Sequence, residues 1–153
     1  MSSHLKIVSG GQTGVDRAAL DAALRFDVDC GGWCPAGRKA EDGIIPACYP
    51  LTELMGADYR KRTRQNVIDS DGTVIIYFDS LSGGTEQTLL FCLQQKKPYL
   101  LIDATELSAK RAAQRIEKFV SSNAIKTLNL AGPRASSEAR AYAYTFKAMS
   151  LFL

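Results

Sequence analysis

The 153-residue chain is long enough for one domain with a closed hydrophobic core. Its hydrophobic share of 46% and charged share of 23% are those of an ordinary globular domain, and a net charge of +3 is too small to imply nucleic acid. With no basic leader and no apolar run of ~20 residues, neither a signal peptide nor a membrane span is expected, which leaves a cytoplasmic address.

The apolar run Leu5-Lys6-Ile7-Val8 predicts a strand, Ser9-Gly10-Gly11-Gln12-Thr13-Gly14 a turn, and the spacing after it a helix over 15–26. Where a glycine turn opens a helix, unpaired N–H groups and the positive end of the helix dipole face outward, a natural place for an anion. A tight turn that binds nothing explains one such cluster equally well. A weak strand over 29–33 follows, and then the longest irregular stretch, from Gly31 to Thr52. Loops of ~20 residues are more often functional than mere connections. The run Arg60-Lys61-Arg62-Thr63-Arg64 falls in a helix expected over 57–70 and reads as a solvated face.

A strand over 73–78 leads to Asp79-Ser80-Leu81-Ser82-Gly83-Gly84-Thr85-Glu86, where Thr85 is placed to cap a helix over 85–95. Strands over 99–102 and 127–131 and helices over 108–122 and 137–152 complete the chain, with Gly132-Pro133-Arg134-Ala135-Ser136-Ser137 after the last strand. Alternation of this kind predicts a single α/β domain over 1–153. Its sheet is expected to be Rossmann-like, doubly wound and mainly parallel, with five or more strands and helices on both faces.

Cys30, Cys34, Cys48 and Cys92 could be imagined around zinc, but Cys92 sits in an apolar helical pattern and the lone His4 lies far from them. Neither a structural metal nor disulfides are expected. The apolar last helix, with Tyr142, Tyr144, Phe146 and Met149, predicts either a homo-oligomer interface or a buried terminal helix.

In an open α/β sheet, ligands bind beyond the carboxyl ends of the strands. Three such ends carry glycines and hydroxyls here, and Arg134 adds a guanidinium suited to phosphate. Their joint occurrence favours an anionic, phosphorylated small molecule. The chain has neither G-x4-G-K-[ST] nor G-x-G-x-x-G at its first turn, so it reads as neither a Walker NTPase nor a dinucleotide dehydrogenase.

Four ordered stretches, GGQTGVDRAALDAAL, GGWCPAGRKAEDGIIPACYPLTE, RTRQNVIDSDGTVIIYFDSLSGGTEQT and LNLAGPRAS, together resemble the molybdenum carrier family, whose better studied relatives are the molybdenum cofactor carrier proteins. The resemblance implies a Rossmann-like domain of the group that includes lysine-decarboxylase-like phosphoribohydrolases. It also implies molybdenum cofactor, a phosphorylated pterin, as ligand, and an oligomer. Carried over by motif, the implied contacts are Gly11, Gln12, Thr13 and Gly14, then Ser82, Gly83, Gly84 and Thr85, then Arg134 and Ser136. Candidate ring contacts are Trp33, Arg38, Thr63 and Asn66, with Gln12.

The first functional reading is a binding protein. The second is a hydrolase of N-glycosidic bonds, with Glu86 as the acid group and Asp16 or Asp42 as substitutes. Against it, the phosphoribohydrolase motif P-G-G-x-G-T-x-x-E is here Ser82-Gly83-Gly84-Thr85-Glu86, which displaces the acid. A nucleotide or ADP-ribose sensor without turnover is a third reading.

Overall fold

The computed structural model describes residues 4–56 and 58–153. In chain order the elements are β1 (Lys6–Val8), α1 (Val15–Arg25), β2 (Asp29–Gly31), β3 (Trp33–Pro35), β4 (Lys39–Ala40), β5 (Gly43–Ile44), β6 (Thr52–Leu54), α2 (Tyr59–Ile68), β7 (Gly72–Tyr77), α3 (Gly83–Gln94), β8 (Tyr99–Asp103), α4 (Ala109–Ser122), β9 (Thr127–Ala131) and α5 (Ala141–Phe152). Five of the strands form one sheet in the order β2-β1-β9-β7-β8, parallel at every junction. The fold is therefore the Rossmann-like parallel α/β arrangement expected from the alternating pattern.

Strand periodicity explains how the sheet fills both layers. Val74 and Ile76 of β7 enter a core with α1, α4 and α5, while Ile75 between them packs with Val67, Phe91 and Cys92 under α2 and α3. Small side chains make the larger layer close-fitting: Ala18, Ala19, Ala22 and Ala23 of α1 are buried. Along α5, Ala141, Thr145, Ala148 and Met149 are buried, and the helix lies against α1 and α4. Much of the apolar surplus that suggested an interface on α5 is thus used inside the chain.

The segment expected as a weak strand over 29–33 divides at Gly32. Its φ is +125°, and a Cβ there would stand 2.2 Å from the carbonyl oxygen of Ser9, so only glycine fits. Beyond it β3 leaves the main sheet and pairs with β6. The stretch to Thr52 is folded as a small layer against α1: Cys34, Ile45 and Tyr49 are buried with Leu20. Arg38 holds it together, its guanidinium donating to the carbonyl oxygens of Ile45, Leu51, Pro46 and Tyr49 at 2.8–3.3 Å.

Two helix starts differ from the sequence expectation. The helix expected from Thr85 opens at Gly83 with Ser82 as N-cap and no capping side chain, so Thr85 is a first-turn residue. The helix expected from Ser137 opens at Ala141, because residues 135–137 and 139–140 form turns. Asp58 caps α2 by accepting the Lys61 N–H at 2.9 Å; Ala57, the first residue of the helix expected over 57–70, lies outside the described residues.

Candidate functional site

The sheet order locates the crevice. If β9 stood before β1 in the chain, the five strands would read 3-2-1-4-5, the start of the doubly wound order whose direction reverses between strands 1 and 4. Here those strands are β9 and β7. At their carboxyl ends lies a cleft of about 860 Å³, walled by α2, the start of α3 and the segment after β9.

Of the sequence-nominated residues, Gln12, Thr63, Asn66, Ser82, Gly83 and Gly84 line this cleft, together with Thr85 and Arg134. A Cβ added to Gly83 or Gly84 would meet no atom within 4 Å. Gly83 has a left-handed backbone (φ +53°) that itself favours glycine, and at both positions the backbone is unobstructed on the Cβ side. No side chain caps α3, so its first-turn N–H groups face the cleft without a side-chain acceptor. Arg134 stands at the mouth with its guanidinium 5.2 Å from the Tyr59 ring centre, a cation–π contact that aligns it over the cleft.

The first glycine turn reaches the cleft through Gly10 and Gln12, while two of its glycines meet other parts of the protein. At Gly11 (φ +75°) a Cβ would lie 2.3 Å from Leu51 Cδ1, and at Gly14 (φ +81°) 2.3 Å from the carbonyl oxygen of Pro133. Protein packing and a left-handed backbone are enough to require glycine at both positions. Thr13 and Ser136 are likewise engaged by the protein itself. The Glu41 carboxylate accepts from the Thr13 hydroxyl and from the Ser136 hydroxyl and N–H. Those hydrogen bonds, with Ser136 first, hold the Glu41 carboxyl below its usual range. Its neighbour Asp42 forms a two-pronged pair with Arg17 at 2.9 and 3.1 Å, and Arg17 Nε donates to the Gly11 carbonyl at 3.0 Å. The β4–β5 tip is pinned by consecutive carboxylates across the first and last loops.

Three ring candidates are also committed elsewhere. Trp33 Nε1 donates to Asp69 at 2.8 Å, Arg38 binds loop carbonyls as described, and the Asn66 amide clamps the Trp33 backbone at 2.8 and 3.0 Å. Asn66 lines the cleft with its polar atoms already paired. Glu86, the nominated acid, is exposed and does not belong to the cleft wall.

What the sequence reading missed is Arg62, read there as part of a solvated face. Arg60, Lys61 and Arg64 are exposed, but Arg62 is 8% exposed and lines the cleft. Gly10 makes room for it, since a Cβ there would sit 1.8 Å from Nη1. Its Nη1 lies 3.8 Å from Asp16 Oδ2, and its Nε has no hydrogen-bond partner among the described residues. Burial lowers the Arg62 pKa and pushes the Asp16 carboxyl up to about 6. Neither charge is fully repaid by the other. At i and i+4 Arg62 shares a helix face with Asn66, and only the structure shows that this face meets β3.

Residues 7–153 match the family described as circularly permutated YpsA SLOG. The chain is also similar to a protein of known crystal structure from Syntrophus aciditrophicus SB titled "Putative molybdenum carrier protein", at 47% identity and TM-score 0.95, over 98% of this chain and 96% of that one. No protein of curated function matches it. The permuted strand order, in which the last strand takes the place of the first, agrees with the family description. On these grounds the chain belongs to the circularly permutated YpsA SLOG family.

Proposed function

We propose that this protein binds and carries a phosphorylated small molecule, a pterin such as molybdenum cofactor or a related nucleotide. The observation that carries the reading is the open backbone at Gly83 and Gly84 facing a cleft with Arg134 at its mouth and a partly unpaired Arg62 in its wall. In this reading the phosphate rests on the N–H groups of Gly83, Gly84 and Thr85, with Ser82 beside it and Arg134 closing over it. Thr63 and Gln12 face the heterocycle. The similarity to a protein titled as a molybdenum carrier supports pterin as the guest.

The residues fit such a cargo at its organic end. Among the described residues no group of three or more His, Cys, Asp or Glu side chains is placed to hold a metal ion, while arginines, amides and hydroxyls face the cleft. That donor set suits a phosphate and a heterocycle, and leaves molybdenum to the cargo's own dithiolene.

Calorimetric titration with a pterin monophosphate tests the reading: wild type binds with one site per chain, and Arg134→Ala weakens binding by about one to two decades for one lost charge-assisted contact. No binding to wild type would refute it.

A second reading, hydrolysis of a nucleotide N-glycosidic bond, is favoured by one observation: Asp16 is a buried carboxyl in the cleft wall with a pKa near neutrality. As a base it would take a proton from water attacking the anomeric carbon while the bond to the base breaks. Chromatography for free base after incubation with nucleoside monophosphates separates the readings. Release that Asp16→Asn abolishes would establish turnover; a ligand retained intact in stoichiometric amount establishes carriage.

A further inference from the structure

The cleft wall holds three polar side chains that the protein leaves incompletely partnered, and their valences define a shape. Gln12 is 3% exposed. Its Nε2 donates to the Lys39 carbonyl at 2.9 Å, and because a carbonyl only accepts, the orientation of the amide is fixed. That leaves Oε1 buried without a partner. Asp16, 6% exposed, accepts the Gln12 N–H at 3.3 Å and a further backbone hydrogen bond from Gly10, two of the roughly four bonds a carboxylate can accept. Arg62 contributes the opposite need, an Nε–H with no acceptor. Its contact with Asp16 at 3.8 Å is too long for a hydrogen bond.

Asp16 ties the three together, being 3.3 Å from the Gln12 backbone nitrogen and 3.8 Å from Arg62 Nη1, and all three residues line the cleft. The wall therefore presents two acceptors and one donor. Buried polar groups of this kind are costly unless something completes them. The complementary guest edge carries two donors and one acceptor.

The geometry points to Gln12, Asp16 and Arg62 as an inner subsite that reads the 2-amino-4-oxopyrimidine edge shared by guanine and the pterins. The inference rests on the phosphate-binding reading above and adds the identity of the base. On that edge the exocyclic amine donates to Gln12 Oε1 and to Asp16, the ring N–H donates to Asp16, and the exocyclic carbonyl oxygen accepts from Arg62 Nε. Adenine presents one donor and one acceptor there, and uracil one donor between two acceptors, so each leaves part of the wall unmet. Specificity of this type comes from stranding the site's own buried groups when the wrong base enters.

The test is a calorimetric series of GMP, IMP, AMP and a pterin monophosphate against the wild-type protein. IMP, which lacks only the amine, should bind about tenfold more weakly than GMP, and AMP at least about a hundredfold more weakly; the pterin should fall within about tenfold of GMP. Asp16→Asn should draw the GMP-to-IMP ratio toward one, and a general loss of folded protein does not move that ratio. Should Asp16→Asn fail to fold, Gln12→Met removes an acceptor at similar length and should shrink the same ratio. Equal binding of GMP, IMP and AMP would overturn the inner subsite and leave the phosphate reading standing. Binding of none of the four would overturn the phosphate reading and the subsite with it.

Discussion

Asp16 provides a measurement that isolates one buried carboxyl from the rest of the protein. Its pKa rises from 3.8 to about 6 because burial outweighs the attraction of Arg62 and the hydrogen bonds from Gln12 and Gly10. The folded protein thus holds the Asp16 proton to higher pH than the unfolded chain does. The stability this confers is full below about pH 4 and is lost as pH rises through about 6, in total about 3 kcal/mol. Other carboxyls run the other way: Glu41, Asp42 and Glu138 are held below their usual range by hydrogen bonds, and their contribution is lost as pH falls. Both trends coexist in the wild type, but Asp16→Asn removes only the first. Urea unfolding of wild type and variant should be measured at several pH values between 4 and 7.5, and the difference taken at each. That difference should shift by about 2.5 kcal/mol in favour of the variant from pH 4 to pH 7, because asparagine does not titrate. A difference that is flat across the range would refute the burial argument for Asp16.

Two further predictions concern the small layer against α1. Arg38→Ala removes a guanidinium that satisfies four backbone carbonyls and should cost about 3 kcal/mol, read as a lower urea midpoint with new proteolytic cleavage within residues 37–51; an unchanged midpoint would show the carbonyls are content with water. Glu41→Gln leaves a side chain with one acceptor oxygen facing donors on Thr13 and Ser136. At this exposed position the stability change should be about 1 kcal/mol or less, but hydrogen exchange at the Ser136 amide should accelerate, and retained protection would exclude Glu41 as the pin between the two loops.

The sequence alone determined the layered architecture. Short continuous apolar runs, as in Val74-Ile75-Ile76, alternate with helical spacing along the chain, and that signal depends only on neighbours a few residues apart. For the same reason the strand ends and their glycine turns were legible, since breaks in a local pattern are themselves local. Gly83 and Gly84 could be nominated because backbone opened by glycine at a helix start looks the same in sequence as in space.

Tertiary structure decided what each turn is for. Nothing near Gly11 or Gly14 in sequence reveals that Leu51 and Pro133 will press against them, or that Glu41 will take the donors of Thr13 and Ser136. Those contacts depend on β9 entering the sheet between β1 and β7, which brings residues about 120 positions apart into one loop cluster. Packing against Gly10 and Asp16 buries Arg62 while Arg60, Lys61 and Arg64 stay exposed. A charge run carries no mark of which member will face the crevice, because burial is set by the strand that closes over it and not by the residues on either side.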